Sequence, residues 1–246
     1  MKFIFLAIFL IFSSLNAGQI KVAVAANVSY AIDSLVKEFN KNNPNTQVIV
    51  ILGSSGKLTA QISHGAPYDI FMSANMKYPN KLYETKKVIT KPKIYALGSL
   101  ALFSTKDLDL SKGLNILQTK QISKIAIANP KTAPYGKAAF EALKNAKILD
   151  AIKPKFIYGE SISQTVSYTV TATNIGLIAK SSLYSKNMTK YKKDINWVEV
   201  DTKLYTPIEQ GVVIVKDSKE AKAFYDFILS EKAKKIFQNY GYLTNE

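Results

Sequence analysis

The chain has no cysteine among its 246 residues. That excludes disulfides, thiolate zinc sites, a cysteine nucleophile and lipid attachment through a lipobox cysteine. It has no arginine either: lysine supplies all 33 basic residues, against 18 acidic ones. Planar bidentate contacts to phosphates or base edges are therefore unavailable, and the lysines are scattered rather than striped. Nucleic acid is not an expected partner. His64 is the single histidine. It cannot build a multi-histidine metal site, and beside Gly65 it reads as a helix-end cap or a solvent-facing residue. A Ser-His-Asp triad would have to use it, and no Gly-x-Ser-x-Gly turn is present. Gly53-Ser54-Ser55-Gly56-Lys57 suggests a phosphate loop but fails on both sides, with Ile51 where glycine is required and Leu58 where Ser or Thr is required. Carboxylate pairs such as Asp107 and Asp109 are too generic to mark a hydrolase. No catalytic constellation remains, so the chain reads as a non-enzyme.

Long apolar runs are also scarce. The only one is Phe3 to Phe12, preceded by Lys2 and followed by Ser13, Ser14, Leu15, Asn16 and Ala17. That is the pattern of a secretory signal peptide. Ten apolar residues span about 15 Å as a helix, roughly half a bilayer core, which is too short for an anchor. Cleavage is expected after Ala17, which places residues 18–246 in the periplasm. Apolar residues make up 47% of the chain, enough to bury one large or two moderate cores. The formal charge of +15 reads first as an AT-rich, lysine-heavy composition. It is also a positive field that steers anions inward.

Apolar alternation and β-branched runs predict strands at residues 19–25, 47–52, 69–72, 94–104, 124–128, 155–158, 175–178, 197–200 and 211–215. Between them, apolar residues recur at helical spacing: Ala31, Leu35, Val36 and Phe39; Phe140 and Leu143; Val166 and Val170; Phe224, Phe227 and Ile228; Ala233, Ile236 and Phe237. Alternating strands and helices predict an α/β protein with mostly parallel sheets. Two places read as crossings between lobes. One is Leu97-Gly98-Ser99, where glycine lets the backbone bend; the other is Asp201 to Pro207. The expected organisation is a discontinuous first lobe, residues 18–98 plus 203–246, and a second lobe, residues 99–202, able to close by hinge motion.

Four strand-to-helix junctions place small or hydroxyl residues where a helix starts: Ala25 to Ser29, Gly53 to Lys57, Thr132 to Gly136 and Gly159 to Ser163. The first N–H groups of a helix have no internal partner and carry partial positive charge, so they bind anions without a charged side chain. In open α/β sheets ligands sit beyond the carboxyl ends of strands. Two junctions from each lobe would enclose a small tetrahedral anion. Each one alone is equally an ordinary cap.

Several stretches resemble the periplasmic molybdate-binding proteins of ABC transporters. They are Lys21 to Asn27, Gly53 to Leu58, Ile62 to Ala74, Asn129-Pro130, Ala133 to Gly136, Asn174 to Gly176, Ala221 to Phe227 and Ala233 to Tyr242. The likeness runs in order through the mature chain. It implies a two-lobed periplasmic binding protein fold of type II, with the ligand in the interlobe cleft. It implies molybdate as cargo, with tungstate as a second candidate, no cofactor, and an inner-membrane ABC permease as partner of a monomeric receptor. Molybdenum would enter only as its oxyanion, with no protein atom bound to the metal. Carried over by position, the ligand set is Asn27, Ser55, Tyr135 and the backbone N–H of Ile162, with Ala26 and Gly56 as further backbone donors. One branch of the family uses a tyrosine where this chain has Ala179 and a small residue where it has Tyr135. A second branch carries asparagine and tyrosine as this chain does.

Uncharged donors suit an anion that is fully deprotonated at neutral pH, such as molybdate, tungstate or sulfate; phosphate carries a proton and favours a carboxylate acceptor. Glu160, near Ile162, is the one acid that would upset this argument, and it also reads as a favourable charge at a helix start. Two other readings stay open at this point: a receptor for sulfate or another oxyanion, and a secreted serine hydrolase using Ser55 or Ser54.

Overall fold

The computed structural model describes residues 18–243. The expected signal peptide, residues 1–17, lies outside them, as do residues 244–246. Among the described residues, ten strands form two five-stranded sheets. In chain order they are β1 (Gly18–Ala25), β2 (Thr46–Gly53), β3 (Ile70–Met72), β4 (Lys93–Gly98) and β5 (Leu100–Phe103). Then come β6 (Ile125–Ala128), β7 (Phe156–Gly159), β8 (Ile175–Ala179), β9 (Trp197–Glu199) and β10 (Ile208–Ile214). The helices are α1 (Ile32–Asn40), α2 (Ser55–Ser63), α3 (Lys77–Glu84), α4 (Pro134–Asn145), α5 (Leu149–Ile152), α6 (Ile162–Thr171), α7 (Lys219–Ile228) and α8 (Glu231–Asn239).

The first sheet has the order β2-β1-β3-β10-β4 and the second β7-β6-β8-β5-β9. In each, the first three strands are parallel and the fourth is antiparallel to both neighbours. Four strands of five therefore share a direction, which agrees with a mostly parallel α/β fold. The reversed strand is the one that has just crossed over: β5 enters the second sheet, and β10 returns to the first.

The long strand expected over 94–104 is in fact two. β4 pairs with β10 in the first sheet, and β5 pairs with β8 and β9 in the second. Only Ser99 separates them. Its apolar pattern is continuous because both halves are buried, so hydrophobicity alone does not reveal the change of sheet. The last strand begins at Ile208, three residues before the expected Gly211.

Strand periodicity divides each core into two faces. In β1, Ile20, Val22 and Val24 pack with Leu35, Phe39, Phe224 and Phe237, whereas Ala23 packs on the opposite face with Leu58, Phe71 and Leu82. In β5, Leu100 and Leu102 face one cluster and Ala101 and Phe103 the other. Each fully buried branched side chain contributes about 1.5–3 kcal/mol. The helical spacing read for α1 holds, with Leu35 and Phe39 buried. In α6, Val166 is buried but Val170 lies on the exposed side.

Candidate functional site

The parallel strands β1, β2, β6 and β7 each run straight into one of the four junctions. Ala26–Tyr30 follows β1 as a 3₁₀ turn rather than a full helix, with α1 behind it. β2 leads to α2, β6 leads through a short loop to α4, and β7 leads to α6. Asn27, Ser55, Tyr135 and Ile162 all line one small cavity between the two sheets, with Ala26, Ser54, Ala74 and Ala133 beside them. Four positions far apart in sequence are thus brought together at strand carboxyl ends. The free space among them is about 10 Å³, the lower limit for a single water. Admission of a tetrahedral anion requires the walls to part. Larger hollows lie elsewhere, as around Leu114 and Val198 or beside Met76 and Pro134, but neither of these brings residues of all four junctions together.

Capping does not explain these junctions as a group. Ser54 stands at the N-cap of α2 without making a side-chain cap, and its buried Oγ has no partner. Ala133 caps α4 with no side-chain bond, and Pro134 opens that helix. Only at α6 does a side chain cap: Ser161 Oγ accepts from the N–H of Gln164 at 3.3 Å. The Ile162 N–H falls in the first turn, where helical amides lack internal acceptors.

The hydroxyls in the cavity have defined polarity. Ser55 Oγ accepts from the N–H of Ala74 at 2.9 Å, which leaves its own proton to donate elsewhere. Tyr135 is 1% exposed, and its hydroxyl accepts from Gln210 Nε2 at 3.3 Å. Burial, reinforced by the neighbouring Tyr242, Tyr95 and Tyr205, raises the Tyr135 phenol well above its ordinary pKa. It therefore remains a protonated donor at neutral and mildly alkaline pH.

Asn27 is more committed than its position in the sequence implies. Its amide nitrogen donates to Gln210 Oε1 at 2.8 Å and to the Tyr242 hydroxyl at 3.0 Å, and its buried Oδ1 has no partner. Tyr242 donates to the Asn27 carbonyl at 2.9 Å, and Ser181 Oγ reaches the same carbonyl at 3.3 Å. Tyr95 donates to Gln210 Oε1 at 2.9 Å. Gln210 and these tyrosines are not among the residues expected at the site. Alternation along Ile208-Glu209-Gln210, with its middle residue exposed, is the signal that places Gln210 facing inward.

Gly56 is engaged elsewhere in this structure. Its N–H donates to the Thr132 carbonyl at 2.9 Å across the cleft, so it closes the halves together and is not free for a ligand. Nor does Gly56 line the cavity. Lys57 and Glu160 form an ion pair across the same cleft, each more than half exposed. Glu160 thus faces solvent and Lys57, not the cavity. Ala179 is fully buried at the end of β8 and does not line the cavity. His64 Nδ1 contacts the Ala60 carbonyl at 2.7 Å at the exposed end of α2, as a capping residue does. No group of three or more His, Cys, Asp or Glu able to hold a metal exists among the described residues. No helix among them is long and apolar enough to cross a membrane.

The family model of bacterial extracellular solute-binding proteins matches residues 20–243. The molybdate-binding protein of Azotobacter vinelandii is 33% identical over 232 residues, covering 92% of this chain and 90% of that one. The solved periplasmic molybdate-binding protein from that organism superposes with a TM-score of 0.84 at 30% identity, over 92% of this chain and 100% of that one. The sulfate-binding protein SubI of Mycobacterium tuberculosis H37Rv superposes at 0.73 with 16% identity, over 92% and 86%. That last likeness is one of fold alone.

Proposed function

The chain belongs to the bacterial extracellular solute-binding proteins, and within them to the molybdate-binding proteins; from that premise we propose that it captures molybdate in the periplasm and delivers it to an inner-membrane ABC permease. The family serves transport and not catalysis. The observation that carries the ligand assignment is the polarity of the cavity. Ser55 and Tyr135, from opposite halves, each have the acceptor side of their hydroxyl filled by a protein N–H. What they have left to offer is a proton, which suits an oxyanion that carries none of its own. Ile162 N–H joins them from the first turn of α6, and Asn27 and Ala26 border the same space. No charged side chain lines it. Tungstate, with the same shape and charge, is the expected second cargo.

In this reading the lobes are residues 18–98 with 203–246, and 99–202, and the receptor acts as a monomer. The lobes part at the two crossings to admit the anion, then close over it through Gly56–Thr132 and Lys57–Glu160. The lysine-rich surface steers the anion; it does not touch it. Export through cleavage after Ala17 brings the chain to its cargo.

Calorimetry of residues 18–246 against molybdate, tungstate, sulfate and phosphate tests the assignment. Tight binding of molybdate and tungstate with no heat from sulfate or phosphate is expected. Silence towards all four would refute it, and sulfate preference would reassign the cargo. Ser55→Ala and Tyr135→Phe should each weaken molybdate binding by about 1.5–3 kcal/mol, the cost of one neutral donor to a charged ligand. Ser55→Ala should also lower the melting temperature, because it strands the buried Ala74 N–H. Parent-like affinity in both variants would remove these two residues from the site.

A further inference from the structure

We propose that Gln210 is a positioning residue that decides which of two side chains, Tyr135 or Asn27, donates a hydrogen to the bound oxyanion. The proposal rests on the oxyanion-binding reading above. Gln210 is fully buried on β10. It sits at a register shift between Gln210 and Gly211, where β10 and β4 slip past one another. Such a bulge re-aims the side chain beside it. Its amide meets Asn27 and Tyr95 with the oxygen and Tyr135 with the nitrogen.

An amide has one donor end and one acceptor end. With the nitrogen towards Tyr135, the phenol is an acceptor there, and its own proton is free for the ligand. Both Asn27 N–H groups are then consumed, by Gln210 and Tyr242. In the reverse arrangement Gln210 Oε1 takes the Tyr135 proton. Its nitrogen then faces Asn27 and Tyr95, and Tyr95 donates to the Ser73 carbonyl, which it already reaches at 3.3 Å. Asn27 must turn with it, freeing Nδ2 and presenting Oδ1 to Gln210 and to Tyr242, whose proton then leaves the Asn27 carbonyl to Ser181 Oγ. Turning only one of the two amides would set two oxygens or two NH₂ groups face to face at hydrogen-bond distance. The amides therefore turn as a pair, and in each arrangement one donor is released, from the lobe-2 phenol or the lobe-1 amide. The arrangement seen here selects Tyr135.

Gln210→Glu isolates this role. A carboxylate is acceptor-only. It would take the Asn27 N–H and the Tyr135 proton together, and set a negative charge near the dianion. Protonated, it regains an O–H for Tyr135. Molybdate titrations at pH 6 to 8.5, at micromolar anion, should show the parent nearly flat. Gln210→Glu should bind about a hundredfold weaker or worse at pH 8.5 and recover at least about tenfold towards pH 6. In a double-mutant cycle, Gln210→Met combined with Tyr135→Phe should be little weaker than the worse single variant, because without Gln210 nothing holds the Tyr135 proton towards the ligand and both changes act on that one donor. Parent-like affinity or a flat profile for Gln210→Glu, or additive losses in the cycle, would overturn the proposal. If the methionine variant melts below the assay temperature, the glutamate profile decides alone. A parent that binds no oxyanion is a different result: it refutes the function and not the role of Gln210 in the network.

Discussion

Gly98→Ala should reduce molybdate affinity about a thousandfold and lower the melting temperature as well. A Cβ on Gly98 would lie 2.1 Å from the Tyr135 hydroxyl oxygen, 2.8 Å from its Cζ and 2.9 Å from Gln210 Nε2. Atoms do not approach so closely, so one of the two side chains must move. Tyr135 is among the largest fully buried side chains, and Gln210 is buried completely, so neither has room to retreat. Displacing Tyr135 removes its donor, at about 1.5–3 kcal/mol. Forcing a methyl group into a packed site costs about 1–3 kcal/mol more. The position also joins β4 to β5, so strain there opposes closure of the lobes. Calorimetry gives the affinity and a thermal melt the stability. Adding Tyr135→Phe removes the worst contact, so the double variant should regain stability without regaining affinity. Parent-like binding by Gly98→Ala would show that Tyr135 does not reach the ligand from this place.

The glycine itself is legible in the sequence, but for another reason. It reads there as a point where the backbone bends between lobes. The chain does change sheets there, yet Gly98 is not among the described glycines with positive φ. What this position needs is space, not conformational freedom. The space is taken by Tyr135, from a distant helix, and no local pattern carries that information. Much of the fold shows the opposite case. Val22 and Val24 against Ala23, and Leu35 against Phe39, are local periodicities that packing then respects. The reversed strands β5 and β10 are not legible, because direction is set by where the chain re-enters a sheet and leaves no periodic trace.

The site divides along the same line. Asn27, Ser55, Tyr135 and Ile162 follow strands whose ends are visible in the sequence, and motif resemblance names them before geometry places them around one cavity. Gly56 passes the same test and is spent on Thr132, since a junction residue shows its type but not its hydrogen-bond partner. Gln210, Tyr95 and Tyr242 escape a sequence reading because they lie in elements that look like packing. Gln210 falls just outside the expected strand, which begins at Gly211. Their contribution is to orient the donors, and orientation arises only from contacts across the chain.

Asn27→Asp tests how far the site depends on having no charge, and its expected loss is also about a thousandfold or more at pH 8. The change is nearly isosteric, so packing is kept and only the electrostatics change. A unit charge about 4 Å from another costs roughly 4 kcal/mol at an effective dielectric constant of about 20, and the ligand is a dianion. The new carboxylate also cannot donate to Gln210 Oε1, so Gln210 turns its nitrogen inward and its oxygen takes the Tyr135 proton. One substitution thus adds repulsion and withdraws a donor in the opposite lobe. The pH dependence has a definite sign. Burial raises the pKa of the introduced carboxyl above its unfolded value of about 3.9, and a bound dianion raises it further. Affinity should therefore rise as pH falls through the folded pKa. Stability of the unliganded variant should come nearest to that of the parent at pH below the unfolded value. It should decline as pH rises from there and level off above the folded pKa. Asn27→Ala, which removes the side chain without adding charge, should lose affinity with no such slope. Titrations from pH 6 to 8.5 separate the two, and flat, parent-like affinity in Asn27→Asp would mean that the anion does not approach this side chain.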